Sequence, residues 1–202
     1  MKRMNRKGFS LIELLVVLVI IILLASISIP VFNNINKGAN LGIAAVQAVG
    51  QFDQARQTAS TMNQAVELRI YETKDSSGVL FYNALATYAI GEDETGNRTY
   101  TLQSKIQYLP QGVVFSVGSL STLISDVPDQ GVDNIPGQNN VNYSAFLFRP
   151  SGGADLGGNP ASGTAWTLTI VSKKDASVTS LPPNYAVLTL NPVVGITRIT
   201  RP

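Results

Sequence analysis

The sequence predicts an α+β protein: a long N-terminal helix, transmembrane over its first half, packed on a mainly antiparallel β-sheet head. Three observations predict it. Across residues 9–29 the only polar side chains are Ser10, Glu13, Ser26 and Ser28. Apolar residues then recur at helical spacing as far as Met62. Beyond that point short alternating runs are separated by loops rich in Gly, Asn, Pro and Ser.

The first apolar stretch is close to the roughly 20 residues that a helix needs to cross a bilayer. Lys2, Arg3, Arg6 and Lys7 precede it and only Lys37 follows closely. This bias puts the N-terminus in the cytoplasm and the bulk of the chain outside. A cleaved secretory signal peptide with its site near Ala25-Ser26-Ile27-Ser28 and a plain anchor are both compatible with the composition. Neither accounts for Glu13. A carboxylate at the centre of a membrane helix costs about 2.5–3.5 kcal/mol, while Leu, Ile and Val neighbours each return about 0.3–0.6 kcal/mol. The helix therefore still inserts, and an intramembrane carboxylate is by default a functional-site candidate.

Lys7-Gly8-Phe9-Ser10-Leu11-Ile12-Glu13-Leu14-Leu15 resembles the processing motif of type IV prepilins and pseudopilins. The resemblance implies that a membrane-bound prepilin peptidase cuts after Gly8 and methylates the new N-terminal residue, Phe9. It also implies that Glu13 pairs with the N-terminal amine of a neighbouring subunit, and Pro30 matches a proline common near the end of the buried stretch. The implied organisation is a leader at 1–8, a transmembrane and filament-core helix at 9–30, an amphipathic helix at 31–63 and a β-rich exported head at 64–202. An amine and a carboxylate buried together serve register better than adhesion, because losing one partner strands the other at about 3–5 kcal/mol.

In the second helical stretch Ile35, Ala39, Val46, Val49, Phe52, Ala55, Ala59 and Met62 form the expected buried face. Gly38, Gly42 and Gly50 each weaken it by about 1 kcal/mol relative to Ala, which with Pro30 predicts a bend or local melting. Strands are expected at 66–72, 81–90, 113–117, 145–149, 166–171, 185–190 and 196–200. Trp166, Leu168 and Ile170 should share one face, with Thr167 and Thr169 opposite. Residues 126–142 and 151–163 read as loops.

The head resembles the minor pseudopilins through Gln54-Ala55-Arg56-Gln57-Thr58-Ala59, Phe146-Leu147-Phe148-Arg149-Pro150-Ser151-Gly152-Gly153 and a closing strand after Gly195. Within that group, Tyr108-Leu109-Pro110-Gln111-Gly112-Val113 and the terminal segment from Arg198 to Pro202 resemble a prepilin-like cassette protein D family of Verrucomicrobia. Ile196 departs from the Gly-Arg pair that many minor pseudopilins carry in the last strand.

Composition narrows the alternatives. Four of the 15 Lys and Arg precede Gly8, leaving 11 against 13 Asp and Glu, a balance of −2. That does not favour nucleic-acid binding. With no Cys and no His, thiol chemistry and the commonest general base are absent. No enzyme activity and no cofactor are expected. Asp126, Asp129, Asp133, Asn134 and Asn139 offer oxygen ligands but not EF-hand spacing, so solvated loop charges are the preferred reading. Gly152 to Gly158 is neither a P-loop nor a dinucleotide fingerprint.

The expectation is thus a minor pilin or pseudopilin of a type IV pilus-like or type II secretion-like filament. Its partners would be prepilin peptidase, other pilin subunits and the inner membrane, with the head in the periplasm or on the surface. Two alternatives stay open: a displayed binding or adhesion module, and an exported anchored protein that never assembles.

Overall fold

The structure is a computed structural model that describes residues 11–75, 77–160 and 165–202, with the backbone alone over 25–37. The chain divides into two units between Gly38 and Ala39.

Helix α1 (Leu11–Met62) is the main helix. In the first unit its apolar side chains at 11–24 are 45–88% exposed. Among the described residues no helix is long and apolar enough to cross a membrane. The expected span at 9–30 lies partly outside those residues.

In the second unit Leu41, Ala44, Ala45, Ala48, Phe52, Ala55 and Ala59 of α1 are buried. This face differs from the expected one: Val46 is 65% exposed and Met62 47% exposed. Small alanines win the inward positions because they let the helix backbone approach the sheets closely. Phe52 then fills the space between, with ring centroids 5.5 Å from Phe146 and 6.4 Å from Phe148. The glycines at 38, 42 and 50 are all helical, so the expected melting does not occur there. Asn63, at φ 50°, ends the helix, and the Gln64 N–H donates to the Ala59 carbonyl at 3.2 Å.

Eleven strands follow among the described residues: β1 (Val66–Lys74), β2 (Leu80–Glu92), β3 (Arg98–Leu102), β4 (Gln107–Tyr108), β5 (Val113–Phe115), β6 (Asp129–Ile135), β7 (Gln138–Phe148), β8 (Ala154–Asp155), β9 (Trp166–Ser172), β10 (Tyr185–Asn191) and β11 (Ile196–Thr200). All pairings are antiparallel. One sheet runs β3-β2-β1-β7-β6, with β4 on β2 and β8 on β7, and the other runs β11-β10-β9-β5. Val66, Leu68, Ile70, Phe146 and Phe148 of the first sheet share a core with Trp166, Leu168, Ile170, Leu188 and Leu190 of the second and with α1.

The polar side of β9 is also covered. Beyond the end of β5, the Thr167 and Thr169 N–H groups donate to the Thr122 and Ser121 hydroxyls at 2.8 and 2.9 Å. Side chains thus replace a missing neighbouring strand. Two expected loops are corrected. Residues 126–142 hold β6 and most of the β6–β7 hairpin, turned at Gly137 with φ 84°. Residues 151–163 contain β8. β3 was not expected at all.

Candidate functional site: the N-terminal helix and the faces of the head

Glu13 lies on α1, near the start of its described part. It is exposed, and its surroundings include Ile12, Val16 and Val17. A helix that is apolar on every side is stable only when another apolar phase covers it. Gly8 and Phe9 lie outside the described residues. Pro30 falls within α1, but its side chain lies outside them.

Sequence reasoning missed a polar network on the face of β1 turned away from α1. Arg69 is 5% exposed and Glu67 2% exposed. The Arg69 Nε donates to Glu67 Oε1 at 2.5 Å, and Nη1 donates to Asp133 Oδ2 at 2.6 Å. The Tyr71 hydroxyl donates to the same Asp133 oxygen at 2.8 Å and lies 2.9 Å from the Tyr88 hydroxyl. The guanidinium carbon is 4.3, 4.7 and 4.4 Å from the ring centroids of Tyr88, Tyr100 and Tyr143. Register explains the assembly: Glu67 pairs with Tyr88, Tyr71 with Tyr143 and Asp133 with Val141. Arg69 therefore reaches across β7 to β6.

Burial pushes the Glu67 carboxyl up, and its bond to Arg69 only partly offsets this. Burial works to lower the Arg69 pKa, but the Glu67 carboxylate outweighs it and keeps the guanidinium charged. Burial and the Tyr88 contact push the Tyr71 phenol far above its ordinary range. The arrangement clamps strands together and holds no activated nucleophile. Asp133, expected in a loop with Asp126 and Asp129, is a strand residue engaged by Arg69 and Tyr71. Among the described residues no group of three or more His, Cys, Asp or Glu could hold a metal ion.

The glycines that carried the head resemblance meet in space. Gly195, at φ 64°, packs its Cα against the Gly152 carbonyl and the Arg56 side chain. The Ala154 N–H donates to the Pro192 carbonyl at 2.7 Å. Gly153 leaves no room for a Cβ beside the Val193 carbonyl. This junction joins α1, the β7–β8 turn and the β10–β11 turn.

The prokaryotic N-terminal methylation motif matches residues 3–29. The match covers the N-terminal segment that holds Gly8, Phe9 and Glu13, and the head lies outside it. Among solved structures it is similar to the minor pseudopilin EpsH from the Type 2 Secretion System of Vibrio cholerae. That chain is 14% identical, with 81% of this chain and 98% of that one covered at a TM-score of 0.45. No curated protein matches the sequence.

Proposed function

We propose that the chain is a minor, pseudopilin-like subunit of a type IV pilus-like or type II secretion-like filament. The observation that carries this is the methylation motif at 3–29 leading into a helix whose exposed apolar surface bears one carboxylate, Glu13. Prepilin peptidase would cleave after Gly8 and methylate Phe9. Before assembly the subunit would sit in the inner membrane as a single-pass protein, N-terminus in the cytoplasm and head exported. Extraction would then place residues 9–30 in a filament core beside other pilin helices. Within that core Glu13 would meet the Phe9 amine of a neighbour and fix the stagger between subunits.

Mass spectrometry of the N-terminus, from membrane and filament fractions of the native host, tests the processing. The expected mature chain starts at Phe9 and carries one methyl group on its amine. A start near Ile29 would mean ordinary signal cleavage, and retention of 1–8 beside an active peptidase would overturn the proposal.

A further inference from the structure

β11 is the edge of the second sheet. Among the described residues it pairs with β10 on one side and with no strand on the other. Beyond that pairing Ile196–Thr200 make no backbone hydrogen bond there. The outward N–H and C=O groups of β11 are therefore open to a further strand. Register sorts the side chains, because residues directly opposite each other share a face. Leu188 and Leu190 lie in the core, so their partners Ile199 and Thr197 stand on the core side. Ile196, Arg198 and Thr200 stand on the outer face, opposite Asn191, Thr189 and Val187.

The edge carries apolar surface and an unmatched charge. Ile196 is 47% exposed and Ile199 39% exposed. Arg198 is exposed and makes no ion pair among the described residues. On the outer face it borders a cavity of about 460 Å³, whose lining includes Thr189, Asn191, Ile196, Asn159 and Pro160. No acidic side chain lines that cavity among the described residues. The Asn191 Oδ1 accepts from the Val193 N–H at 3.0 Å, which leaves its amide nitrogen to donate. Guanidinium, amide and the Thr189 hydroxyl thus offer donors together on one face, and no anion of this chain answers them.

We propose that β11 binds an extended acidic segment of another protein as a fifth strand of the second sheet, with Arg198 pairing an Asp or Glu of that segment. This goes beyond the assembly reading, because it uses neither the N-terminal motif nor α1.

Charge and period decide the occupant. In strand addition the main chain supplies affinity and alternate side chains supply selectivity. A neutral or basic strand laid on β11 would take the guanidinium out of water without a partner, which is costly. An anionic polymer with no peptide backbone would meet Arg198 but leave the open N–H and C=O groups unpaired. Ile196 and Arg198 are two residues apart on one face. The segment that fits therefore places an apolar residue two positions from its carboxylate. A carboxylate takes the Arg198 fork through two oxygens and still accepts from Thr189 across the pair.

The test uses the full chain in detergent and a fluorescein-labelled, C-terminally amidated hexapeptide, Thr-Val-Thr-Glu-Thr-Val. Fluorescence anisotropy should show saturable binding. Gln in place of the peptide's Glu should weaken it about tenfold. The same peptide with N-methylated backbone amides keeps the carboxylate and loses the strand donors, and it should not bind. Arg198→Glu should reject the Glu peptide and accept its Lys counterpart, while Arg198→Lys should keep most of the affinity. Such a reversal cannot come from a merely misfolded head. No saturation up to about 1 mM peptide would overturn the proposal. Equal binding of the N-methylated peptide would overturn strand addition. Undiminished binding to Arg198→Glu would overturn the ion pair. Tetragalacturonate bound as tightly as the peptide would overturn the peptide occupant.

Discussion

Glu13 and Arg69 are both charges in apolar surroundings, and they solve that problem differently. Glu13 lies exposed on the N-terminal part of α1 in the first unit. Glu13→Ala should leave membrane insertion intact, since it removes the one ionisable group of the span, yet reduce incorporation into sheared filaments. Glu13→Gln separates charge from shape. Wild-type assembly by both variants would sink the charge-pair role. Arg69 is solved internally: two carboxylates and three tyrosine faces enclose it. Arg69→Met strands Glu67 as a buried unpaired charge and should cost about 3–5 kcal/mol in chemical unfolding. Glu67 itself titrates with a sign that can be worked out. Its folded pKa is raised above the ordinary 4.5 by burial. Its favourable contribution is therefore complete below about 4.5 and is lost as pH rises through the folded value. Relative to Glu67→Gln, the wild type should lose stability between pH 4.5 and neutrality. A wild type that gains on Glu67→Gln over that window would contradict the assignment. The N-terminal motif was legible because it sits in nine consecutive residues. The Arg69 network was not, because its members lie on β1, β2, β3, β6 and β7 and only the register joins them.

Among the elements, legibility mostly followed burial, though the largely exposed β11 was also read. β1, β9, β10 and the C-terminal end of β7 read as strands because each alternates or masses apolar residues against the core. β3 and β6 are sheet edges, with five exposed residues in Arg98–Leu102 and a mostly polar Asp129–Ile135, so no hydrophobic period marks them. The helical face of α1 was misplaced for a related reason. Periodicity weights large residues, whereas close packing selected Ala44, Ala45, Ala48, Ala55 and Ala59. The glycine junction shows why short resembling motifs far apart in sequence can carry one structural requirement. A Cβ at Gly195 would collide with the Gly152 carbonyl, and φ 64° is strained for any L side chain. Gly195→Ala should therefore destabilise the head by about 2–4 kcal/mol, read as a lower denaturation midpoint with unchanged slope. The surface glycine Gly96 has nothing within 4 Å of its Cβ position, so Gly96→Ala meets only the φ 82° strain and should cost less. Equal losses for the two variants would mean that the junction does not carry the packing ascribed to it.

For the whole molecule, apolar surface is divided between two phases. The head buries its own: Phe52, Phe146, Phe148, Leu168, Ile170 and Leu188 are at most 2% exposed in one shared core. The N-terminal stretch leaves its apolar side chains outside any core of the described residues. This division predicts what truncation does. A chain starting at Asn33 keeps the whole second unit, Ala39–Pro202, and every helix residue that packs on the sheets. It also loses the stretch that needs lipid or a filament core. It should therefore be soluble and unfold cooperatively, because its core is complete. Its circular dichroism should be led by β structure, since strands supply more than twice as many residues as the remaining helix. With the basic leader gone and acidic residues in slight excess, it should show no tight, steeply salt-dependent binding to double-stranded DNA. Two results would count against the division. A helix-dominated spectrum would deny the sheets. Aggregation of the truncated chain, with the full chain stable in detergent, would show that the head needs the first unit to cover part of its own surface.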